Sequence, residues 1–286
     1  MHDILFTLPL PFTDRALPVH AYGVMAMVGF LLGLWLARWR ARRVGLSPET
    51  ITDLLIYALI AGIVGSRVFY VVQNADHFFN TRRPGWSFMD LFEIWKGGLV
   101  FYGGFIGAGI VVLWVARARK IRLLALLDAM APSVVLGHAF GRIGCFLHGC
   151  CYGVPLKPDA WCGVVYPEGS VAYEHVAAGT PMFPSQLVSA ANKLIIFAVL
   201  MLFFKHRRVE GRVVALYLIL YSIHRFIIEF WRGDTHAPGE LSPAQWVSLF
   251  TFFIGLALMV FARGVPPAPS AQPVPTAKTE KKSRKA

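Results

Sequence analysis

The chain has 286 residues, of which 56% are hydrophobic, with a mean hydropathy of +0.55 and a formal net charge of +12. Soluble globular domains are about 45–50% apolar, so this composition excludes an ordinary soluble domain and favours a membrane protein. The positive charge would suit nucleic acid, but the basic residues flank apolar segments, and we therefore expect no nucleic-acid partner.

Residues 1–19 lack the basic start and long apolar run of a cleavable signal peptide, so we expect the first span to act as its own insertion signal. A bilayer core of ~30 Å needs about 20 apolar residues per helix, and seven segments of the chain satisfy this. In chain order they are residues 20–38, 53–73, 98–116, 122–141, 187–204, 212–231 and 243–262.

The predicted fold class is therefore all-α, a polytopic membrane protein with about seven transmembrane helices. Residues 1–263 form one membrane-embedded domain. Residues 264–286 are rich in Pro, Ala and Lys, which predicts a disordered basic tail. Glycines recur in the first three spans and favour close packing between membrane helices.

Basic residues cluster after every second predicted span, and Lys and Arg favour the cytoplasmic side of a membrane. With seven spans all of these clusters lie on one side, so we expect the amino terminus outside and the carboxyl terminus in the cytoplasm. The clusters are Arg38, Arg40, Arg42 and Arg43; Arg117, Arg119, Lys120 and Arg122; Lys205, Arg207, Arg208 and Arg212; and Arg263 with the basic residues of the tail.

Several polar or ionisable side chains fall inside or at the outer ends of the predicted spans, where their cost makes them functional candidates. At a rise of about 1.5 Å per residue, they all lie in the outer half of the bilayer. They come from five helices, and their common depth favours a binding site over unrelated structural ion pairs. They are His20, Tyr22, Arg67, Tyr102, Arg142 and Arg225.

The sixth span carries Tyr221, Arg225, Glu229 and Arg232 at spacings that place them on one helix face. Glu229 can pair with either arginine, so a purely structural ion pair is one interpretation. Several arginines at headgroup depth, without an acidic pair suited to a metal, instead favour an anionic ligand. Guanidinium groups match phosphate geometry, and a lipid phosphate is the nearest candidate.

Residues 141–153 contain Gly141, Gly144, Gly149 and Gly153 together with three cysteines. These glycines predict a tight, irregular backbone close to a ligand. Irregular backbone at membrane depth persists where protein covers it or where it faces a wet cavity, so the segment is expected to line such a cavity. His138, one turn before Arg142, either contacts the same cavity or is a satisfied core histidine.

Gly141, Arg142, Gly144 and Gly153 match a signature that begins Gly-Arg-x-Gly and ends at a glycine nine residues later. Further motifs follow in matching order over about residues 18–260, and the whole set resembles the prolipoprotein diacylglyceryl transferase family. They are His20-Ala21-Tyr22-Gly23; Gly65-Ser66-Arg67 with Tyr70; Trp95-Lys96-Gly97-Gly98-Leu99; Asp128 with Pro132; Pro184-Ser185-Gln186-Leu187; and Tyr221 with Arg225-Phe226, Glu229-Phe230 and Arg232.

The resemblance implies transfer of a diacylglyceryl group from phosphatidylglycerol to the lipobox cysteine thiol of a prolipoprotein signal peptide. The product is a thioether, glycerol phosphate leaves, and neither a metal nor an organic cofactor takes part. The resemblance also implies a multi-pass protein of the bacterial inner membrane. Its expected partners are phosphatidylglycerol, prolipoprotein signal peptides and membrane lipids, and we expect it to act as a monomer.

For the phosphate we expect Arg142 and Arg225, with Glu229 orienting Arg225. Tyr22 and Tyr221 are matched positions that could place lipid or substrate. The wider set of expected substrate-binding residues also includes Arg67, Arg232, Gly153 and His138.

Three positions differ from the common family pattern, which has Asn at Cys145, Glu at Cys150 and a proposed catalytic His at Tyr102. A tyrosine with a pKa near ~10 is a poor base at neutral pH. His20 is an alternative base, although a role as an interface hydrogen-bonding residue is equally open. The cysteine-rich signature also resembles a variant subgroup within the family.

Two other functions remain open. One is a thiol- or metal-dependent membrane enzyme that uses the cluster of cysteines and a histidine given below. The spacing of that cluster is not the paired C-x-x-C spacing of a typical metal site, so a structural disulfide involving Cys162 is favoured over a metal. A non-enzymatic lipid-binding protein or transporter could share the fold, although no internal repeat is evident. The cluster consists of Cys145, His148, Cys150, Cys151 and Cys162.

Overall fold

The computed structural model describes residues 4–9, 16–79, 88–94, 97–206, 209–233 and 240–262. The predicted tail at 264–286 and the motif residues Trp95 and Lys96 lie outside these ranges. The described helices are α1 (Ala21–Ala41), α2 (Pro48–Gln73), α3 (Ala75–Phe79), α4 (Phe101–Ala118), α5 (Leu123–His148), α6 (Val171–His175), α7 (Ser185–His206), α8 (Arg212–Glu229) and α9 (Pro243–Phe261).

A small antiparallel hairpin precedes the helices, formed by β1 (Ile4–Pro9) and β2 (Ala16–His20). The all-α prediction did not include it. Its strands contain Ile4, Phe6, Thr7 and Val19, and β-branched and aromatic residues suit an extended backbone. The hairpin runs directly into α1, so it lies at the end of the bundle where α1 begins.

Within the ranges given above, six helices are long and apolar enough to cross a membrane: α1 with its 3-10 extension, α2, α4, α5, α7 and α9. The predicted sixth span is also a helix, α8, but its 18 residues include Arg212, Arg225 and Glu229. These three charged residues make α8 too polar to count among the candidate spans by composition. It nevertheless packs against α7 and α9. The prediction of a polytopic all-α membrane protein is confirmed.

The fifth helix lies at the centre of the bundle and packs against α1, α7 and α8. One core cluster joins it to α7 and α8 through Val135, Leu200 and Val213. A second cluster joins it to α1, α2 and α4 around Leu126 and Leu54. Because α5 is covered on several sides, side chains at its carboxyl-terminal end face other helices rather than lipid.

One sequence prediction about α5 is wrong. Residues 141–148 were expected to be irregular, but α5 continues as a helix to His148 and the backbone departs from it only at Gly149. Gly144 lies against Tyr22 of α1, where a methyl group would come 3.1 Å from the Tyr22 ring. Gly144 therefore allows α5 to pack closely against α1, and its backbone remains helical.

Helices α2 and α4 pack at short distance through glycines. A Cβ atom at Gly103 would overlap the carbonyl oxygen of Gly65, and one at Gly107 would overlap the carbonyl of Ala61. Apolar surface gains little by leaving lipid, so association of membrane helices depends on such close backbone contact. The glycines of the predicted second and third spans thus form a specific interface.

The basic turns between helices lie at one end of the bundle. Arg119, after α4, contacts Thr50 and Asp53 at the start of α2. Arg122, before α5, forms a 2.8 Å ion pair with Glu210 in the α7–α8 turn. These contacts bring three of the predicted cytoplasmic turns together. This is the arrangement expected when successive spans cross in opposite directions, since every second turn then lies at the same end of the bundle.

Candidate active site

A cavity of ≈ 620 Å³ lies between α1, α4, α5, α7, α8 and α9. Six predicted site residues line it, and depth in the membrane, spacing along one helix and the family resemblance had each pointed to some of them. Its lining also includes Phe30, Phe101 and Val247, so the cavity has both polar and apolar walls. The six predicted residues are Tyr22, Tyr102, His138, Arg142, Tyr221 and Arg225.

Three cationic side chains share this cavity: Arg142, Arg225 and Lys193. Within the described residues, no hydrogen bond or ion pair joins the Arg142 guanidinium to another protein group, which leaves its donors available to a ligand. Lys193 is only 4% exposed, and its ammonium lies 5.8 Å from the centre of the Tyr221 ring. The cavity is therefore suited to an anion.

Sequence analysis missed Lys193, although a signal was present. This lysine lies inside the predicted fifth span, and an ionisable residue at that position is a functional candidate by default. Its contribution to the cavity depends on the face of α7 that meets α5 and α8, and the apolar residues around it carry no information about that face.

Glu229 holds two of the predicted arginines. Its side chain, 1% exposed, pairs with Arg225 one turn earlier and lies 3.8 Å from Arg232. The Ser242 hydroxyl donates to the other Glu229 oxygen at 3.0 Å, just before α9 begins. The Glu229 carboxylate thus fixes the Arg225 side chain, which lines the cavity. Glu229 and Arg232 themselves are not part of the cavity lining.

An aromatic and histidine group forms another wall. His138 Nδ1 lies 3.4 Å from the Tyr217 hydroxyl, and the Tyr221 ring lies 6.0 Å from the His138 ring. Tyr22 and Tyr102 line the cavity with half-exposed side chains, 45% and 50% respectively. These two tyrosines therefore lie where the cavity is open, whereas His138 is in its interior.

Arg67 does not line the cavity. Its guanidinium donates to backbone carbonyls of Asp90 and Leu91 at 2.6 and 2.8 Å, and of Gly97 at 2.9 Å. These hydrogen bonds hold the segment between α2 and α4 in place. A part in substrate binding remains a prediction for Arg67.

His20 and Gly153 also lie outside the lining of the cavity. His20 is the residue before α1, and its exposed side chain does not cap that helix. The amide of Gly153 donates to the Phe183 carbonyl at 2.9 Å, and a Cβ atom there would come 2.6 Å from that oxygen. Gly153 is therefore required for close backbone approach, while contact with substrate stays a prediction for both residues.

The end of α5 has the backbone geometry known as a Schellman motif. Gly149 adopts a left-handed conformation, its amide donates to the Phe146 carbonyl, and the Cys150 amide donates to the Cys145 carbonyl. In this motif the residues at the positions of Cys145 and Cys150 bring their side chains into contact. Gly149 was the sequence signal that could have predicted this pairing.

Cys151 completes a group of three thiols. Its own backbone is left-handed, with a φ of 60°, and the sulfur atoms of Cys145, Cys150 and Cys151 all lie within 4.8 Å of one another. Cys145 and Cys151 line the cavity. All four cysteines of the chain are free thiols, so the expected disulfide involving Cys162 is not formed in this structure.

The backbone of the cysteine pair is held from α7. Gln186, fully buried, donates to the Cys150 carbonyl at 2.8 Å, and Ser185 donates to the Cys151 carbonyl at 2.8 Å. The pKa of the Cys151 thiol is lowered because the Cys145 and Cys150 side chains hydrogen bond to its sulfur, and Arg142 and Arg232 reinforce the effect. Within the group of three thiols, Cys151 is therefore the one whose thiolate form is favoured.

A second, more apolar cavity of ≈ 430 Å³ lies between α7 and α8. Its walls include Val199, Leu220 and Ile223. It was not predicted from the sequence, because apolar residues on a membrane helix do not distinguish a groove from ordinary lipid contact.

Comparisons with known proteins show which family the chain resembles. A family model described as prolipoprotein diacylglyceryl transferase matches residues 9–261. A phosphatidylglycerol–prolipoprotein diacylglyceryl transferase of Clostridium tetani (strain Massachusetts / E88) is 31% identical over 249 positions, covering 87% of this chain and 95% of the relative.

Two further relatives bear the same description. That of Xylella fastidiosa (strain M12) is 33% identical over 303 positions, covering 96% of this chain and 97% of the relative. That of Burkholderia thailandensis is 33% identical over 276 positions, covering 86% and 91%. From the matched motifs, the helical bundle and these similarities it follows that the chain belongs to the prolipoprotein diacylglyceryl transferase family.

Proposed function

We propose that this chain transfers a diacylglyceryl group from phosphatidylglycerol to the thiol of a prolipoprotein cysteine, forming a thioether and releasing glycerol phosphate. The observation that carries the proposal is the convergence of Arg142, Arg225 and Lys193 on one cavity within the helical bundle. A phosphodiester is the anionic part of the lipid, and this cavity supplies the cations that would bind it.

Arg142 and Arg225 bind the phosphate, and Lys193 adds a third positive charge. Guanidinium groups present donors in a planar fork that matches phosphate oxygens, and such charge-assisted bonds are stronger than neutral ones. Negative charge grows on the phosphate as glycerol phosphate departs. Fixed cations around it stabilise the transition state more than the bound lipid, which is the condition for catalysis.

The acyl chains have two sets of apolar surfaces to occupy. Phe30, Phe101 and Val247 line the central cavity, and the apolar cavity on α7 and α8 lies beside the same helices. The exposed Tyr22 and Tyr102 side chains stand where substrate would enter. We assign them to positioning, because a neutral tyrosine is a poor base.

The sulfur acceptor must be a thiolate to attack. A free thiol with a pKa of about 8.5 is mostly protonated at neutral pH, and the positive field of the cavity favours its ionised form. His20 remains an alternative base, although it lies outside the lining of the cavity. Cys145 and Cys151, by contrast, line the cavity together with the cations.

The cellular setting follows from the reaction and from the basic turns. We place the chain in the bacterial inner membrane as a monomer, with the amino terminus outside and the basic turns in the cytoplasm. Prolipoproteins would then present their signal peptides to the outer half of the bilayer, where the cations of the cavity lie.

The test is rescue of a cell depleted of its own diacylglyceryl transferase, followed by transfer from labelled phosphatidylglycerol to a lipobox peptide with the purified chain. The expected results are growth and a labelled thioether product. A peptide with Ser in place of the lipobox Cys is the control and should stay unlabelled. A well-expressed, correctly inserted chain that binds the lipid without transfer would instead be a non-enzymatic lipid-binding protein.

A further inference from the structure

The three thiols at the end of α5 form a group that the phosphate-binding role does not use. Their sulfur atoms lie within 4.8 Å of one another. The sequence spacing argued against a metal, because it lacks paired C-x-x-C segments. The left-handed turns at Gly149 and Cys151 supply the proximity that the spacing does not.

The separation of the sulfurs suits a soft divalent cation. A Zn–S bond is about 2.3 Å, so two thiolates in a tetrahedral site stand about 3.8 Å apart. The observed group needs only small side-chain adjustments to reach this value. Its backbone is fixed by the Schellman motif and by donors from Ser185 and Gln186, so the ligands are held ready.

The surroundings balance the charge of such a site. Three thiolates with one Zn²⁺ carry one net negative charge, and the Arg142 guanidinium lines the same cavity as Cys145 and Cys151. Two of the sulfurs, from Cys145 and Cys151, line the cavity. A fourth position at the metal would therefore open towards the place where the substrates meet, and three protein ligands with one open position are typical of catalytic zinc.

We propose that Cys145, Cys150 and Cys151 bind a thiophilic divalent cation of the Zn²⁺ class, and that its open position takes the acceptor thiol. The identity of that thiol rests on the proposed function. The binding of the metal does not depend on it.

The chemistry of the step balances. The acceptor thiol loses its proton on binding the metal and becomes a bound thiolate. Its sulfur attacks the lipid glycerol carbon that carries the phosphate ester; the C–S bond forms as the C–O bond breaks, and the electron pair leaves with the phosphate oxygen. The phosphate, held by Arg142 and Arg225, departs as glycerol phosphate and takes up one proton, equal to the one released.

Metal content of the full chain, purified in detergent through a tag without histidines, is the first measurement. We expect one zinc per chain, lost in each of Cys145→Ser, Cys150→Ser and Cys151→Ser. Cys162→Ser is the matched control, because Cys162 is a free thiol outside the group, and it should retain the metal. Wild-type protein with no more zinc than the triple variant, or with a disulfide among the three cysteines, would overturn the proposal.

Cobalt substitution of the wild-type chain avoids any folding defect in the variants. Co²⁺ in the site should show a thiolate-to-metal charge-transfer band and the visible bands of a tetrahedral ion. A lipobox peptide should shift the visible bands, and the same peptide with Ser for Cys should leave them unchanged. Bands that do not respond to the thiol peptide would overturn the open position.

Transfer assays separate this proposal from the proposed function. At pH 7 a free thiol of pKa about 8.5 is roughly 3% ionised, so loss of the metal should reduce transfer about 30-fold and added zinc should restore it. Full transfer by metal-free protein would overturn the role of the open position in activating the acceptor thiol and leave the function standing. A zinc-bound chain whose cobalt spectrum responds to the peptide, but which transfers nothing, would overturn the function and support the site.

Discussion

Arginines of this protein act in distinct ways that depend on the acceptors around them. Arg67 is occupied by backbone carbonyls of the segment between α2 and α4. Arg40, fully buried, donates to the Ala129 carbonyl and lies 3.6 Å from the centre of the Phe204 ring. Arg142 has no such partner within the described residues and lines the cavity, which is why it is the main candidate for the phosphate.

Replacement of Arg142 tests this assignment. Arg142→Ala should lower transfer by about 10²- to 10³-fold, the usual cost of one transition-state donor. Arg142→Lys should recover little, because a single ammonium does not replace the guanidinium fork. The measurement is the rate of transfer from labelled phosphatidylglycerol to a lipobox peptide.

The control for this experiment is Arg119→Lys, which changes an arginine at the opposite end of the bundle that pairs with Asp53. It should keep the wild-type rate. Full activity in Arg142→Ala would remove Arg142 from the phosphate site.

Glu229 is the second test at this scale, because it holds Arg225 and Arg232 with almost no exposure to solvent. Glu229→Gln should reduce transfer and lower the free energy of unfolding by about 3–5 kcal/mol, since removal of one partner leaves a buried charge uncompensated. Rates and thermal unfolding in detergent measure the two effects.

Asp53→Asn is the matched control, because it removes an acidic partner whose side chain is 40% exposed. An exposed pair contributes at most about 1 kcal/mol, so this variant should unfold close to the wild type. Equal stability of Glu229→Gln and wild type would show that the carboxylate does not support the two arginines.

At the scale of elements, helix ends and helix contacts decide where side chains meet. Asp128 of α5 accepts hydrogen bonds from the amides of Gly211 and Val214, each at 2.9 Å, and so fixes the start of α8 against α5. This explains a motif residue without any catalytic role. The Schellman motif at the other end of α5 similarly places Cys145 beside Cys150.

The α2–α4 interface allows a test with a control on the same helix. Gly103→Ala should lower the thermal unfolding temperature in detergent, because the new methyl group would overlap the Gly65 carbonyl. Gly109→Ala meets nothing within 4 Å, and it should be neutral or stabilising by up to about 1 kcal/mol through helix propensity. If the two variants changed the unfolding temperature equally, the close packing would not be the cause.

At the scale of the whole molecule, the fold separates a basic end from the end that holds the cavity. The turns after α1, α4 and α7 meet through Arg119 and Arg122. At the other end, Gly153 bridges to Arg232, and the cavity lies near the cysteine turn. The described contacts therefore give the bundle a polarity, and the positive-inside rule predicts which end faces the cytoplasm.

Reporter fusions check that orientation. A phosphatase that is active only outside the cytoplasm should be active when fused after residue 168, between α5 and α6. It should be inactive when fused after residue 46, residue 120 or residue 262, where a fluorescent reporter of the cytoplasm should give signal. Phosphatase activity after residue 262 would reverse the predicted orientation or remove one span.

Local patterns of the chain predicted much of the fold. Hydropathy located most helix ends to within about three residues, because a span is defined by its own length and composition; the start of α2 and the end of α5 were the exceptions. The i, i+4 spacing of Arg225 and Glu229 predicted their pairing, because residues four apart are neighbours on the surface of a helix. The hairpin and the continuation of α5 to His148 were missed, since short strands and glycine-containing helix ends depend on neighbouring elements.

By itself, the sequence determined the membrane class and the position of the helices, because these depend on segment length and composition; the common depth of the polar residues stays a prediction. Only the tertiary structure decided which side chains meet. It brought Lys193 into the cavity, held Arg67 against a loop and joined Cys145, Cys150 and Cys151. The physical reason is that the rotation of each helix is set by packing between backbones, and spacing along one chain segment does not encode it.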